Sequence, residues 1–267
     1  MPLALLYHDV VEGDDDQSGF PGGGAARYKL PRAEFTAHLD AIAAVAGFTT
    51  LRAPREAGPP GDDVSSLITF DDGGVSAATV IAGELERRGW RGYFFITVDF
   101  IGRAGFVDRE QIIDLARRGH VIGSHSCSHP TRMSACPRPQ LLDEWRRSRE
   151  VLSEILGEPV TCASVPGGYY SRAVAETAAE AGLTHLFNSE PTTRTAEVGG
   201  CHVHGRYTIY RGMTASMAAS LAAGSPPALL RQAAAWKLKK ALKAVGGRAY
   251  VNVRQALLDR KYGFRKR

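Results

Sequence analysis

Two hydrophobic patterns alternate along this chain. Short apolar runs occur at Leu3 to Val10, Leu67 to Phe70, Trp90 to Val98, Val121-Ile122, Val160 to Val165 and Thr184 to Asn188. Runs of this length, bounded by turn residues, predict buried strands. Between them, apolar residues recur at helical spacing. Phe35, Leu39, Ile42 and Val45 mark a helix over Pro31 to Ala46, and similar patterns cover Ser76 to Gly89, Asp108 to Gly119, Pro139 to Gly157 and Ser171 to Gly182. Asp108 suits an N-cap, and Gly119 suits a helix end. Phe48 to Leu51 predicts a further short strand, and Arg52 to Asp63 a connector rich in Pro and Gly. Strand and helix alternate every roughly 25–35 residues, the sequence form of a parallel α/β barrel.

Beyond residue 212 the pattern changes. Met213 to Ala223 is Ala-rich and helical, and Pro226 to Val245 predicts a second helix. In that helix Leu230, Trp236, Leu238 and Leu242 stand against Lys237, Lys239, Lys240 and Lys243, which reads as a basic amphipathic face. The expected division is a barrel over 1–212 and a basic helical extension over 213–267, packed on the barrel or facing a membrane.

Charge sharpens that division. Of 33 Lys and Arg and 28 Asp and Glu, twelve bases and one acid (Asp259) lie beyond residue 227, so the tail carries +11 and the rest −6. The 267 residues suffice for one large core, and 44% hydrophobic with 23% charged residues is an ordinary globular composition. Met1 to Tyr7 is too short an apolar run for a signal-peptide core, and no stretch reaches about 18 apolar residues. The expected location is therefore cytoplasmic, with peripheral contact at the inner membrane surface through the tail. The chain shows no recognised nucleic-acid module, and a basic tail alone suffices only for nonspecific contact. Cys127, Cys136, Cys162 and Cys201 lack C-x-x-C spacing and read as free thiols, although Cys127 and Cys136 could bridge.

The candidate chemistry sits at two strand ends. Thr69-Phe70-Asp71-Asp72-Gly73-Gly74 places adjacent carboxylates at a tight turn. Packed together without a cation, such a pair repels, and a bound metal removes the conflict. His125-Ser126-Cys127-Ser128-His129 supplies two imidazoles at i and i+4, which one helical turn would place on the same side. Each motif alone is equally well a capped loop or a coincidence. Together they suggest one metal site.

These two motifs resemble the first two of the polysaccharide deacetylases, carbohydrate esterase family four, whose shared unit is the NodB homology domain. The likeness spans residues 3–190 and includes Tyr93 to Thr97, the helix end Leu115 to His120, and Ser164-Val165-Pro166-Gly167-Gly168. It implies a distorted (β/α) barrel and removal of acetyl groups from sugars. It further implies a divalent ion on Asp72, His125 and His129, with Asp71 as the base. Zinc suits the mixed N and O donors, and cobalt, nickel or manganese could serve. By alignment Gly167 N–H is the oxyanion donor. Pro166 and Tyr169 are assigned to substrate contact, as is Arg206, which is also a candidate replacement for the arginine that usually orients the base. That arginine is missing here, with Ser164 or Val165 in its place, and the acidic-plus-Trp fourth motif is not recognisable. Tyr7-His8 matches the arrangement in which an N-terminal histidine protonates the leaving amine, although a loop histidine is the plainer reading. The Asp- and Gly-rich stretch from Glu12 to Arg27 is expected to be a rim or lid.

The expected partner is an acetylated sugar or glycan, such as a lipid- or nucleotide-linked N-acetylhexosamine. Two other readings stay open: a hydrolase of formyl or cyclic amides, and a catalytically silent sugar-binding protein.

Overall fold

The computed structural model describes residues 3–45, 49–50 and 65–262. Twelve strands run in chain order: β1 (Leu3–Tyr7), β2 (Val10–Val11), β3 (Leu30–Pro31), β4 (Thr49–Thr50), β5 (Ser65–Phe70), β6 (Tyr93–Ile96), β7 (Val121–Ser124), β8 (Cys162–Ser164), β9 (His185–Phe187), β10 (Thr195–Val198), β11 (Cys201–His204) and β12 (Tyr207–Thr208). The main sheet follows the order β10-β11-β9-β8-β7-β6-β5-β1-β12, with β4 beside β5. Every pairing in it is parallel except that of β10 with β11, so it is an open, curled form of a (β/α) barrel. β2 and β3 form a separate parallel pair.

Helices α1 (Gly23–Ala26), α2 (Arg32–Ala43), α3 (Ala82–Glu86), α4 (Arg109–Arg117), α5 (Arg138–Leu156) and α6 (Arg172–Glu180) connect the strands. A π turn at Ala77–Ile81 precedes α3. Asp108 caps α4 through a capping box with Gln111, satisfying two backbone N–H groups. Gly157 closes α5 at φ 71°, a conformation glycine adopts without steric cost. The expected strand at Phe48 to Leu51 is present at Thr49–Thr50, while Phe48, Leu51 and the connector Arg52 to Asp63 lie outside the described residues.

Strand parity sorts the core. Leu3, Leu5, Tyr7, Ile68, Phe70, Phe94 and Ile96 pack in the large cluster that also holds Phe35, Leu39, Leu115 and Leu152 of the helices. The alternate positions Ala4, Leu67, Tyr93, Phe95 and Phe187 form a smaller cluster on the other face, the barrel interior. On β5 that interior face continues through Thr69 to Asp71.

Two helices follow the sheet: α7 (Ala215–Ala222), which packs on α2, and α8 (Pro226–Lys261), which packs on α1 and α7. Gln232 Nε2 donates to Thr208 O at 2.7 Å, and the Arg211 guanidinium lies 5.6 Å over the Tyr262 ring. Both ends of α8 are thus held against the segment 208–211. The four expected apolar residues do not all face one way. Leu230, Leu238 and Leu242 are 69%, 62% and 47% exposed, whereas Trp236 turns toward the cleft described below. No helix among the described residues is long and apolar enough to cross a membrane.

Candidate active site

The candidate residues gather at the carboxyl ends of the parallel strands, where barrel sites form. His8 follows β1, Asp71 and Asp72 follow β5, His125 and His129 follow β7, and Gly167 follows β8. Strand parity would send Asp71 and Asp72 to opposite faces. A left-handed backbone at Asp72 (φ 77°) breaks the alternation, and both carboxylates enter one cleft.

Asp72, His125 and His129 each offer one donor atom, and those atoms lie within 4.8 Å of one another. Asp72 Oδ1 stands 3.4 Å from His125 Nε2 and 3.5 Å from His129 Nε2. The expectation that one helical turn aligns the imidazoles is wrong. Residues 125–130 form no helix, and left-handed steps at Ser126 (φ 65°) and His129 (φ 56°) turn the rings together instead. These two and Asp72 are the non-glycine residues of positive φ among the described residues. Such backbone costs of order 1–3 kcal/mol per residue and persists where surrounding contacts fix it.

The fixing contacts are visible. Glu144 on α5 is buried and accepts from Cys127 N–H (2.8 Å), Ser128 N–H (2.9 Å) and Ser128 Oγ (2.5 Å). Ser124 Oγ accepts from Ser126 N–H at 3.0 Å, and Ser126 Oγ accepts from His129 N–H at 3.1 Å. If the trio binds a divalent ion, Glu144→Ala should weaken that binding about 10- to 100-fold, as loss of an outer support typically does. Competition titration with a chelating indicator measures this, and an unchanged affinity would remove Glu144 from the support.

Donor chemistry in the trio fits a divalent cation. His125 Nδ1–H points at Ser164, with the carbonyl at 3.1 Å and Oγ at 2.5 Å, which leaves Nε2 as the free donor atom. Burial alone would raise the pKa of Asp72, but the two facing imidazoles hold it well below the usual carboxylate range. Cys127 is not part of the set: the clustered donor atoms come from Asp72, His125 and His129, and the Cys127 thiol is buried, which pushes its pKa up to about 12. All four cysteines are free, so Cys127 and Cys136 form no bridge.

Asp71 stands beside the trio, with Oδ2 4.0 Å from His125 Nε2. Arg206 grips it from behind with two bonds of 2.7 Å, and Ser164 Oγ donates to Oδ1 at 3.0 Å. Arg206 is fully buried, donates also to Asn188 O and Thr69 Oγ1, and lies 5.6 Å over the Phe95 ring. Burial works to raise the pKa of Asp71, but the Arg206 guanidinium and His125 hold it below its ordinary value. Arg206 thus occupies the base-orienting position, and its assignment to substrate contact is corrected, since a side chain with no exposure cannot touch substrate. Pro166 is corrected likewise: it is buried, and the cleft is lined by Gly167, Gly168, Tyr169 and Tyr170 after it.

His8 lines the same cleft as Asp71 and Gly167, stacks on Tyr28 at 4.7 Å, and has a buried Nδ1 with no partner among the described residues. Gly167 sits at φ 60° on the turn tip, and the bonds closing that turn come from Gly168 and Tyr169 N–H. The Glu12–Arg27 stretch is pinned down at several points. Asp9 accepts from Ser18 Oγ (2.6 Å) and Ser76 Oγ (2.8 Å), Gly19 N–H donates to Gly105 O (2.8 Å), and Asp15 pairs with Arg211. Phe20, in this stretch, packs 4.6 Å from the His129 ring.

Fold and site define a class: an open parallel barrel with an Asp-His-His cluster and a separately held carboxylate at its carboxyl end. Residues 58–186 match the family model described as polysaccharide deacetylase, and this match supports a polysaccharide deacetylase of the NodB type, a hydrolase of carbohydrate acetyl groups. YxkH of Bacillus subtilis (strain 168), itself only provisionally described as a polysaccharide deacetylase, is 25% identical over 218 residues, 79% of this chain and 72% of that protein. Among solved structures, the Streptococcus pyogenes deacetylase PplD in complex with acetate has a TM-score of 0.67 at 16% identity, covering 80% of this chain and 94% of that one. IcaB from Ammonifex degensii has a TM-score of 0.64 at 21% identity, with 87% and 95% covered. These structural likenesses speak to the fold.

Proposed function

We propose that this chain is a divalent-metal-dependent deacetylase that hydrolyses the N-acetyl group of an N-acetylhexosamine in a glycan or glycoconjugate precursor. The observation that carries the reading is the convergence of Asp72, His125 and His129, with Asp71 held beside them by Arg206. Asp72, His125 and His129 would hold the ion, with zinc the best match to two imidazoles and a carboxylate. When bound, the ion supplies Lewis-acid polarisation and brings the pKa of a water toward about 7.

The chain's own residues supply the rest. Asp71 accepts the proton of the attacking water, and Arg206 and Ser164 fix the direction of its lone pairs. Gly167 N–H donates to the oxyanion that develops on the acetyl carbonyl. His8 delivers a proton to the departing amine nitrogen. The products are a hexosamine and acetate. Tyr169, beneath the Arg132 guanidinium at 5.4 Å, offers a ring face to the sugar.

Two measurements test this. Chelated protein should release no acetate from N-acetylated sugars, and stoichiometric zinc should restore release; a metal-free preparation that stays active would end the proposal. His8→Ala should lower kcat at least about 100-fold, the range for a general acid. His202→Ala and His204→Ala should leave kcat within about twofold, since neither lines the cleft, His202 is exposed and His204 stacks on Phe187. The reverse ranking would place the acid late in the chain.

A further inference from the structure

The cleft beside Asp71 has a volume of about 420 Å³ and two unlike walls. One carries His8, Asp71, Gly167 and Tyr169; the other is the first half of α8. Arg231, Ala235 and Lys239 recur there at i, i+4 and i+8, so one ridge of the helix presents them to the cleft. Arg27 contributes to the same lining.

The charges do not cancel. Asp71 and Glu190 are the acids of the lining. Asp71 is neutralised by Arg206, and Glu190 pairs with Lys240 at 3.6 Å. Arg27 rests on the Tyr210 ring at 4.8 Å, and among the described residues neither Arg27 nor Arg231 has a carboxylate partner. Of the four Lys and Arg in the lining, three (Arg231, Lys239 and Lys240) come from α8, against a barrel whose residues 1–227 sum to −6. A neutral glycan offers guanidinium groups only uncharged hydroxyl and carbonyl acceptors. A phosphate gains charge-assisted, two-pronged hydrogen bonds, and a concave site lined by one sign of charge concentrates the opposite one.

We propose that the sugar deacetylated in this cleft carries a phosphate or pyrophosphate ester, gripped by Arg231 and Lys239 of α8 with Arg27 beside them. The substrate class is a glycosyl phosphate. The proposal rests on the deacetylase reading of the site and adds to it the group at the sugar's other end.

The test uses the full-length zinc-loaded protein and compares acetate release across substrates. N-acetylglucosamine 1-phosphate, UDP-N-acetylglucosamine and a polyprenyl-phosphate-linked N-acetylglucosamine in phosphatidylcholine vesicles carry the ester. Methyl N-acetylglucosaminide and chitotetraose do not. At least one phosphate substrate should exceed both neutral ones about tenfold or more in kcat/KM, and which one does identifies a free, nucleotide or lipid source. In Arg231→Gln/Lys239→Gln that preference should fall to near one, chiefly through KM. In Lys237→Gln, an exposed charge outside the cleft lining, it should persist. A neutral substrate used as well as the charged ones, or a preference that survives the double variant, overturns the proposal. If no sugar releases acetate, the deacetylase reading fails separately. Calorimetry of N-acetylglucosamine 1-phosphate with metal-free protein then decides: binding weakened about tenfold by the double variant upholds the phosphate site, and equal or absent binding ends it.

Discussion

Asp71→Asn is expected to lower turnover about a thousandfold while metal uptake stays stoichiometric. The carboxylate is the group beside the Asp-His-His trio that the trio does not use, and loss of a positioned base typically costs 10²–10⁴ in rate, so about 10³ is the middle of that range. Asn keeps an oxygen for Ser164 but turns an N–H₂ toward a guanidinium N–H of Arg206, which accepts nothing. The variant should therefore also be less stable. Single-turnover acetate release with zinc content measured on the same sample separates the effects. Wild-type turnover with full zinc would mean that Asp71 is not the base.

Arg206→Met is expected to remove about 3–5 kcal/mol of stability, because it strands the buried Asp71 carboxylate. The loss should appear in urea unfolding as a lower midpoint with an unchanged slope. Combined with Asp71→Asn it should cost clearly less than the sum, since the second change removes the charge that the first left unpaired. Arg206→Lys keeps a charge but gives up the planar two-point grip, so it should recover more stability than activity. Additive effects in the double variant would show that Arg206 supports the barrel without holding Asp71.

The readable parts of the chain were those whose meaning lies within a few adjacent residues. Leu67 to Gly74 and Ser124 to His129 carry both the strand end and the chemistry, so the Asp-His-His trio is legible in the sequence. The mistaken helical turn at His125 to His129 came from spacing alone: i and i+4 fits a helix, and nothing local announces left-handed steps at Ser126 and His129. Arg206 acts across 135 residues of sequence, and its burial follows only from the closing of β12 on β1. Glu144 did leave a signal. It stands among Leu141, Trp145, Ser148 and Leu152 on the buried face of α5, where a lone carboxylate needs a partner. The β10–β11 hairpin was also readable, since Gly199-Gly200, both at positive φ, joins two short alternating segments. The placement of α8 was not, because Trp236 meets the cleft while Leu230, Leu238 and Leu242 stay exposed, and tertiary anchors at Thr208 and Arg211 decide which side meets the barrel.

The stretch 58–186 that matches the family model holds Asp71, Asp72, His125, His129 and Gly167, but neither Arg206 nor His8. Under the proposed mechanism the chain cannot be trimmed to its recognisable part and remain a working catalyst: the excised piece would keep its ion site while its base swung unbraced and its leaving group departed unprotonated. Grafting this chemistry onto another scaffold means transplanting three separated pieces of backbone, with the two outer ones arriving from opposite ends.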